Sequence, residues 1–182
     1  LNTLIKEITA NIDNFDIGVY AQKIYDFTWN EFCDWYIEIV KTRLYDKNCD
    51  TRNEAMYTLH KVLEYSLKML HPIMPFVTEE IYTQLYNHEE SIMISKWPQY
   101  CEEYNFEKEE KEIEMIKSII TEIRNIRNNM NVHPSKKSKL IFVTKECTNL
   151  IEQSKSFLER LGFANEIIIQ ENKENIPSDA IS

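Results

Sequence analysis

The chain carries a cluster of cationic residues inside an otherwise acidic sequence. Between Ile123 and Lys145 there is no Asp or Glu, whereas the whole 182-residue sequence has 30 acidic residues, 21 Lys or Arg and a formal charge of −9. The six cations of this basic stretch are Arg124, Arg127, Lys136, Lys137, Lys139 and Lys145. Lysine and arginine bind phosphate groups and arginine also matches base edges, so the stretch is suited to a nucleic acid.

Two arginines of the basic stretch are spaced to share one face of a helix. Arg124 and Arg127 are three positions apart near the end of a predicted helix, and the amide of Asn128 lies beside them in sequence. Lys136 and Lys137 follow shortly after. We predict that these five side chains contact nucleic acid. An alternative stays open, in which the arginines only complement the helix dipole and the lysines are ordinary surface.

A second candidate surface lies on an aromatic-rich predicted helix, where Trp35 is followed by Lys41 and Arg43. An exposed aromatic ring stacks on an unpaired RNA base while neighbouring cations hold the phosphates. We therefore predict that these three side chains also contact RNA. Aromatic residues at helical spacing are equally typical of a core, and we expect Phe32 and Tyr36 to be buried.

The sequence contains no recognisable catalytic motif. Its two glycines are too few for a phosphate-binding loop, and its four cysteines are scattered without metal-ligand spacing. Adjacent Glu79 and Glu80 fit the start of a helix better than an acid–base pair. We predict no catalytic residue, metal ligand or cofactor in these 182 residues. No apolar run has membrane length and no signal peptide is present, so we expect a cytoplasmic protein without a membrane partner.

Apolar residues recurring every three or four positions predict the helices that would position these side chains. The predicted helices are a first through Leu4 and Ile12, a second over 17–44, a third over 52–70, a fourth from Pro75 and a fifth over 113–130. The acidic residues just before position 113 fit a solvated first turn of the fifth helix, where carboxylates complement the dipole.

Beyond Pro134 the pattern changes. Short β-branched runs at 140–143 and 167–169 predict strands, and an amphipathic helix over 148–161 between them ends at Gly162. We therefore predict a mainly α fold, with a helix bundle over residues 1–134 and a small β-α-β appendage over 135–182 whose remaining strands would lie downstream. The chain begins inside a helical pattern at Leu1, so we expect it to be a piece of a larger protein.

Three stretches together resemble the anticodon-binding region of bacterial-type valyl-tRNA synthetases, class I aminoacyl-tRNA synthetases. They are Phe32 to Glu38 with Lys41 and Arg43 to Tyr45; Leu70 to Ile81; and Ile123 to Asn128 through Met130 to Val132 and Pro134 to Lys137. The middle stretch is shared with the isoleucyl, leucyl and methionyl relatives, whereas the first and third are typical of the valine enzymes. The similarity covers nearly the whole chain.

The resemblance implies a helix bundle that binds the anticodon arm of valine tRNA and has no catalytic site of its own. The parent enzyme would join valine to its tRNA with ATP and magnesium, and neither cofactor would be bound by this chain. We expect a monomer whose partner is tRNA, with no DNA partner. Two alternatives stay open: the same domain of a sibling synthetase such as the isoleucyl enzyme, or a helical adaptor that binds proteins through exposed apolar faces.

Overall fold

In a computed structural model, which describes residues 1–173, 176–177 and 180–181, the chain folds into two compact units. The first unit is Leu1–Asn105 and the second is Phe106–Ser182. The sequence instead predicted a boundary between residues 134 and 135. The two boundaries differ because the long helix Glu107–Asn129 packs against the helix Lys155–Leu161. The long helix therefore belongs to the second unit.

The first unit consists of helices joined by short loops. They are α1 (Asn2–Asp13), α2 (Ile17–Asp26), a π-helical segment (Phe27–Tyr36), α3 (Ile37–Tyr45), α4 (Arg52–Leu70) and α5 (Pro75–Tyr82), followed by 3-10 turns at Ile92–Ile94 and Glu102–Tyr104. The predicted third helix is confirmed at both ends, and Pro75 begins α5 as expected.

The core of the first unit centres on Tyr20, which is 1% exposed. Its hydroxyl donates a hydrogen bond to the carbonyl oxygen of Met69 at 2.5 Å, and burial raises the pKa of Tyr20 to about 12. Ile5, Ile8 and Ile24 complete this buried cluster. The cluster therefore joins α1, α2 and α4 through apolar contact and one buried hydrogen bond.

A second buried cluster holds α5 against α4. Its members are Leu67, Tyr82 and Ile92. The carboxylate of Glu79 accepts hydrogen bonds from the Ser91 hydroxyl at 3.1 Å and from the backbone N–H of Ile92 at 3.2 Å. Glu79 thus has a structural role, because its hydrogen bonds hold the segment at Ser91 and Ile92 against α5.

The opposite face of α5 exposes three large apolar side chains. Phe76 is 90% exposed, Val77 46% and Ile81 40%. Several exposed apolar side chains on one short helix are typical of a face that packs against another protein surface.

The predicted helix over 17–44 exists over that range, but its middle third is a π-helix. Within this segment Phe32 is 4% exposed, and its ring stacks on the half-buried Tyr36 with centroids 6.0 Å apart. The expected burial of Phe32 is confirmed. Apolar spacing did not reveal the π-helix, because π-helices are rare and the spacing that predicts a helix does not specify its hydrogen-bond register.

The second unit is built on one long helix and a β-α-β segment. Its elements are α6 (Glu107–Asn129), β1 (Ser138–Val143), α7 (Thr148–Gln153), α8 (Lys155–Leu161) and β2 (Ala164–Gln170). The two strands pair in parallel, with Leu140 opposite Ile167. A parallel pair needs a crossover connection, which α7 and α8 supply. The predicted mainly α fold with a small β-α-β appendage is confirmed.

Two boundaries in this unit differ from the sequence prediction. Helix α6 begins at Glu107 rather than at 113, and the interpretation of the acidic run as a first turn is confirmed. The helix predicted over 148–161 is broken at Ser154. Within the described residues, no helix combines the length and the apolar character needed to cross a membrane.

An ion-pair group on α4 generates a prediction about stability. Glu64 accepts hydrogen bonds from Lys68 at 2.8 Å and Lys61 at 2.9 Å. Burial alone would raise the pKa of Glu64, but these two lysines lower it below its ordinary value. The stabilisation that ionised Glu64 gives the folded state is therefore complete above its unfolded-state pKa of about 4.3. It is lost as the pH falls through the lower pKa that Glu64 has in the folded state. We expect Glu64→Gln to reduce the free energy of unfolding at pH 7 by about 1 kcal/mol.

Urea unfolding at pH 7 and pH 3 measures this effect, and the difference from the unsubstituted chain should be smaller at pH 3. Glu7→Gln is the matched control, since Glu7 pairs with Lys23 at 2.7 Å but its side chain is 46% exposed, against 15% for Glu64. Its effect should stay below about 0.5 kcal/mol. Equal effects of the two substitutions would contradict the role assigned to Glu64.

Candidate nucleic-acid interface

The guanidinium of Arg127 holds together the turn that follows α6. Although charged, Arg127 is only 8% exposed. It donates hydrogen bonds to the Ser138 hydroxyl at 3.0 Å, to the His133 carbonyl oxygen at 3.3 Å and to the Lys136 carbonyl oxygen. Its Cζ also lies 5.2 Å from the ring centroid of Phe163, a cation–π contact. Arg127 therefore organises the protein from within.

The backbone at the end of α6 prepares this turn. The N–H of Val132 donates to the Arg127 carbonyl oxygen at 2.9 Å, and the N–H of Asn131 donates to the Asn128 carbonyl oxygen at 3.0 Å. These two bonds form a Schellman motif, which needs a left-handed residue. Asn131 fills that position with φ of 53°, which asparagine tolerates better than most residues.

Arg124 lies on the same side of α6 as Arg127, as the three-residue spacing predicted. It is half-buried, and its Nε donates to the carbonyl oxygen of Leu161 at 3.1 Å. Leu161 is the last residue of α8, so this bond satisfies a helix carbonyl that lacks an intrahelical partner. The arginines were predicted to face a nucleic acid, but the structure shows both of them bonded to the protein.

Asn128, Lys136 and Lys137 are exposed. Because Arg127 binds the Lys136 carbonyl oxygen, the backbone is fixed while the lysine side chains project from it. Fixing the backbone lowers the entropic cost of binding an anion. We call Asn128, Lys136 and Lys137 the displayed set, since they combine one amide and two cations that are suited to RNA phosphates and base edges.

The second candidate group, in the first unit, is more strongly engaged in internal contacts. Trp35 is half-buried. Lys41 is half-buried and paired with Glu38. Arg43 is exposed, and it donates to the hydroxyl of Thr51 at 3.0 Å and to its carbonyl oxygen at 2.8 Å, which closes the loop before α4. An RNA phosphate at this place would have to compete with these bonds.

The exposed aromatic pair on this helix is Tyr25 and Trp29. They are 56% and 58% exposed, and their rings stack with centroids 6.4 Å apart. The sequence prediction chose Trp35 instead, and four-residue spacing of exposed aromatics is the signal that would have found the pair. Asp26 and Glu31 are exposed close by in sequence, so the immediate charge is acidic.

The structure therefore places the predicted residues in two groups. Trp35, Lys41 and Arg43 belong to the first unit, and the remaining five belong to the second. Of those five, the displayed set is accessible, whereas Arg127 is buried and Arg124 half-buried. The accessible cations and amide of the second unit form the better candidate surface.

Residues 1–143 match the family described as the anticodon-binding domain of tRNA ligase. The match covers most of the chain, including the whole first unit, α6 and β1. The chain belongs to this anticodon-binding domain family.

Curated relatives of this anticodon-binding domain are bacterial valine–tRNA ligases. The chain is 42% identical to the Clostridium perfringens protein over all 182 residues, which is 21% of that protein's length. It is 38% identical to the Thermotoga maritima protein over 169 residues, or 91% of the chain and 19% of that protein. It is 35% identical to the Carboxydothermus hydrogenoformans protein over 186 positions. The chain thus spans about a fifth of the length of these relatives.

The position of Arg127 in this anticodon-binding domain predicts a large stability effect. Arg127→Ala removes three charge-assisted hydrogen bonds and leaves the His133 and Lys136 carbonyl oxygens without this donor. We expect the free energy of unfolding of the second unit to fall by roughly 2–4 kcal/mol, measured by urea unfolding. Asn128→Ala is the control on the adjacent, exposed position, and should change stability by less than about 0.5 kcal/mol. A negligible change in the free energy of unfolding on Arg127→Ala would show that Arg127 does not stabilise the turn.

Proposed function

We propose that this chain is the part of a valine–tRNA ligase that binds the anticodon arm of valine tRNA. The observation that carries the proposal is the displayed set: Asn128 at the end of α6, and Lys136 and Lys137 on the turn that Arg127 holds in place. Membership of the anticodon-binding domain family and the valine–tRNA ligase relatives support it. Lys136 and Lys137 bind backbone phosphates, and Asn128 faces the stem or loop.

Arg124 and Arg127 enter this proposal in different ways. Arg127 acts through the protein, because its donors are bonded to the turn that carries the lysines. Arg124 is half-buried beside Asn128 and adds positive potential under the RNA backbone. Trp35, Lys41 and Arg43 form a second contact in the first unit, flanking an unpaired anticodon base.

The charge distribution supports local rather than general attraction to RNA. A chain with a formal charge of −9 repels a polyanion at long range. Binding therefore depends on contacts with the basic stretch, which release counterions from the RNA. Affinity should consequently fall steeply as salt is added.

The properties of the whole ligase belong to the same proposal. The valine–tRNA ligase relatives support a whole protein that joins valine to tRNA, and we propose that it does so in the cytoplasm. The resemblance assigns ATP and magnesium to a catalytic part outside the stretch matched here. We propose that this chain contributes recognition and positioning and that it is monomeric.

The exposed apolar face of α5 favours a second candidate function, a protein-binding adaptor. Phe76, Val77 and Ile81 are the residues that such an adaptor would use. The matched relatives are about five times longer than the chain, so the rest of a ligase would also offer a surface to cover this face. The two functions differ in whether the chain binds tRNA.

We expect the chain to bind a valine tRNA transcript more tightly than the same transcript with an exchanged anticodon. The measurement is fluorescence anisotropy across a salt series. The double variant Lys136→Gln with Lys137→Gln should weaken binding and reduce the slope of log affinity against log salt by about two, one for each phosphate contact. An isoleucine tRNA bound in preference would assign the chain to the sibling enzyme.

The matched control is Lys108→Gln with Lys111→Gln, which removes two exposed charges from the acidic first turns of α6. It should leave the salt slope unchanged. Equal weakening by both double variants would mean that bulk charge, not the displayed set, drives binding. Absence of binding at low salt would favour the adaptor.

A further inference from the structure

A pocket of about 430 Å³ opens in the second unit between the end of α8 and the start of β2. This volume lies within the roughly 300–1,000 Å³ range of small-molecule sites. The pocket is lined by Lys137, Ser156, Glu159, Arg160, Phe163, Ala164 and Asn165. Only Lys137 among them was a candidate from sequence.

The aromatic wall of the pocket is held in an unusual conformation. Phe163 has φ of 55°, a left-handed geometry that is rare for a bulky residue. Gly162 precedes it, and a Cβ there would lie 2.7 Å from the Leu158 carbonyl oxygen, so no side chain fits. The Arg127 guanidinium lies 5.2 Å from the centroid of the Phe163 ring. The ring is thus fixed between a tight helix end and a buried cation.

The pocket also carries more positive than negative charge. Lys137 and Arg160 line it together with one acid, Glu159. Residues 123–165 hold eight Lys or Arg and three Glu, a formal charge of +5 within a chain of −9. The polar groups of Ser156 and Asn165 provide hydrogen-bonding partners at the wall.

We propose that this pocket binds one unpaired ribonucleotide of the RNA strand that the displayed set contacts, which extends the proposed function to a second subsite. The phosphate is held by Lys137 and Arg160, and the base packs on the Phe163 ring. Asn165 donates to or accepts from the edge of the base. An aromatic ring, two cations and an amide are the combination that proteins use for single-stranded RNA.

The Arg127 side chain connects the two parts of this surface. It binds the Lys136 carbonyl oxygen on one side and packs on Phe163 on the other. The turn that displays the lysines and the aromatic wall of the pocket therefore share one support. An RNA strand that binds Lys136 and Lys137 meets the pocket next, because Lys137 also lines it.

The test uses the 182-residue chain labelled with ¹⁵N and titrated with a uridine hexaribonucleotide at low salt. Saturable shifts of the amide signals of Lys137, Ser156, Ala164 and Asn165 are expected. Phe163→Asn removes the ring but suits the left-handed backbone, and should weaken binding about five-fold or more. Lys137→Gln should weaken it as well, while Lys111→Gln, an equal loss of charge on exposed α6, should not.

Two outcomes would overturn the proposal that this pocket binds a nucleotide. One is amide-signal shifts confined to residues outside the pocket, and the other is equal affinity of the Phe163→Asn, Lys137→Gln and Lys111→Gln variants for the hexaribonucleotide. The Lys137→Gln variant keeps the test valid if Phe163→Asn disturbs the fold. Failure of the proposed function is distinguishable, since it would appear as no preference for valine tRNA while the hexamer still shifts the pocket signals.

Discussion

The guanidinium of Arg127 ties the end of one helix to the turn and the strand that follow it. Its donors satisfy the carbonyls of His133 and Lys136, groups that would otherwise need water or another partner. A buried cation costs free energy unless it is fully hydrogen-bonded, and here bonds and an aromatic ring surround it. The displayed lysines and the Phe163 pocket both depend on this arrangement.

Under the proposed function, the same interaction explains how an acidic protein would offer a surface to RNA. Buried Arg127 fixes the backbone, so the segment that carries the exposed lysines does not have to be ordered on binding. Within α6 itself the charges are separated, because Glu107, Glu109 and Glu110 lie in its first turn, where they complement the helix dipole. Separation of charge along one helix keeps the acidic end distinct from the basic end.

The sequence was sufficient for the mainly α fold and for most helix boundaries, because apolar periodicity and prolines mark them directly. It was insufficient where tertiary contacts decide. The spacing of Arg124 and Arg127 placed them on one face, but only the packed structure shows that this face meets the turn and α8. The π-helical segment, the break at Ser154 and the aromatic wall at Phe163 likewise depend on packing or on a left-handed backbone that composition does not reveal.

The most direct test of the proposed RNA contacts is the hydroxyl-radical footprint that the chain leaves on valine tRNA. It is compared with the footprint left by the Lys136→Gln, Lys137→Gln double variant. We predict protection of the anticodon arm, with a discrete group of protected riboses lost in the double variant. Protection elsewhere in the tRNA, or a footprint that the double variant leaves intact, would contradict it.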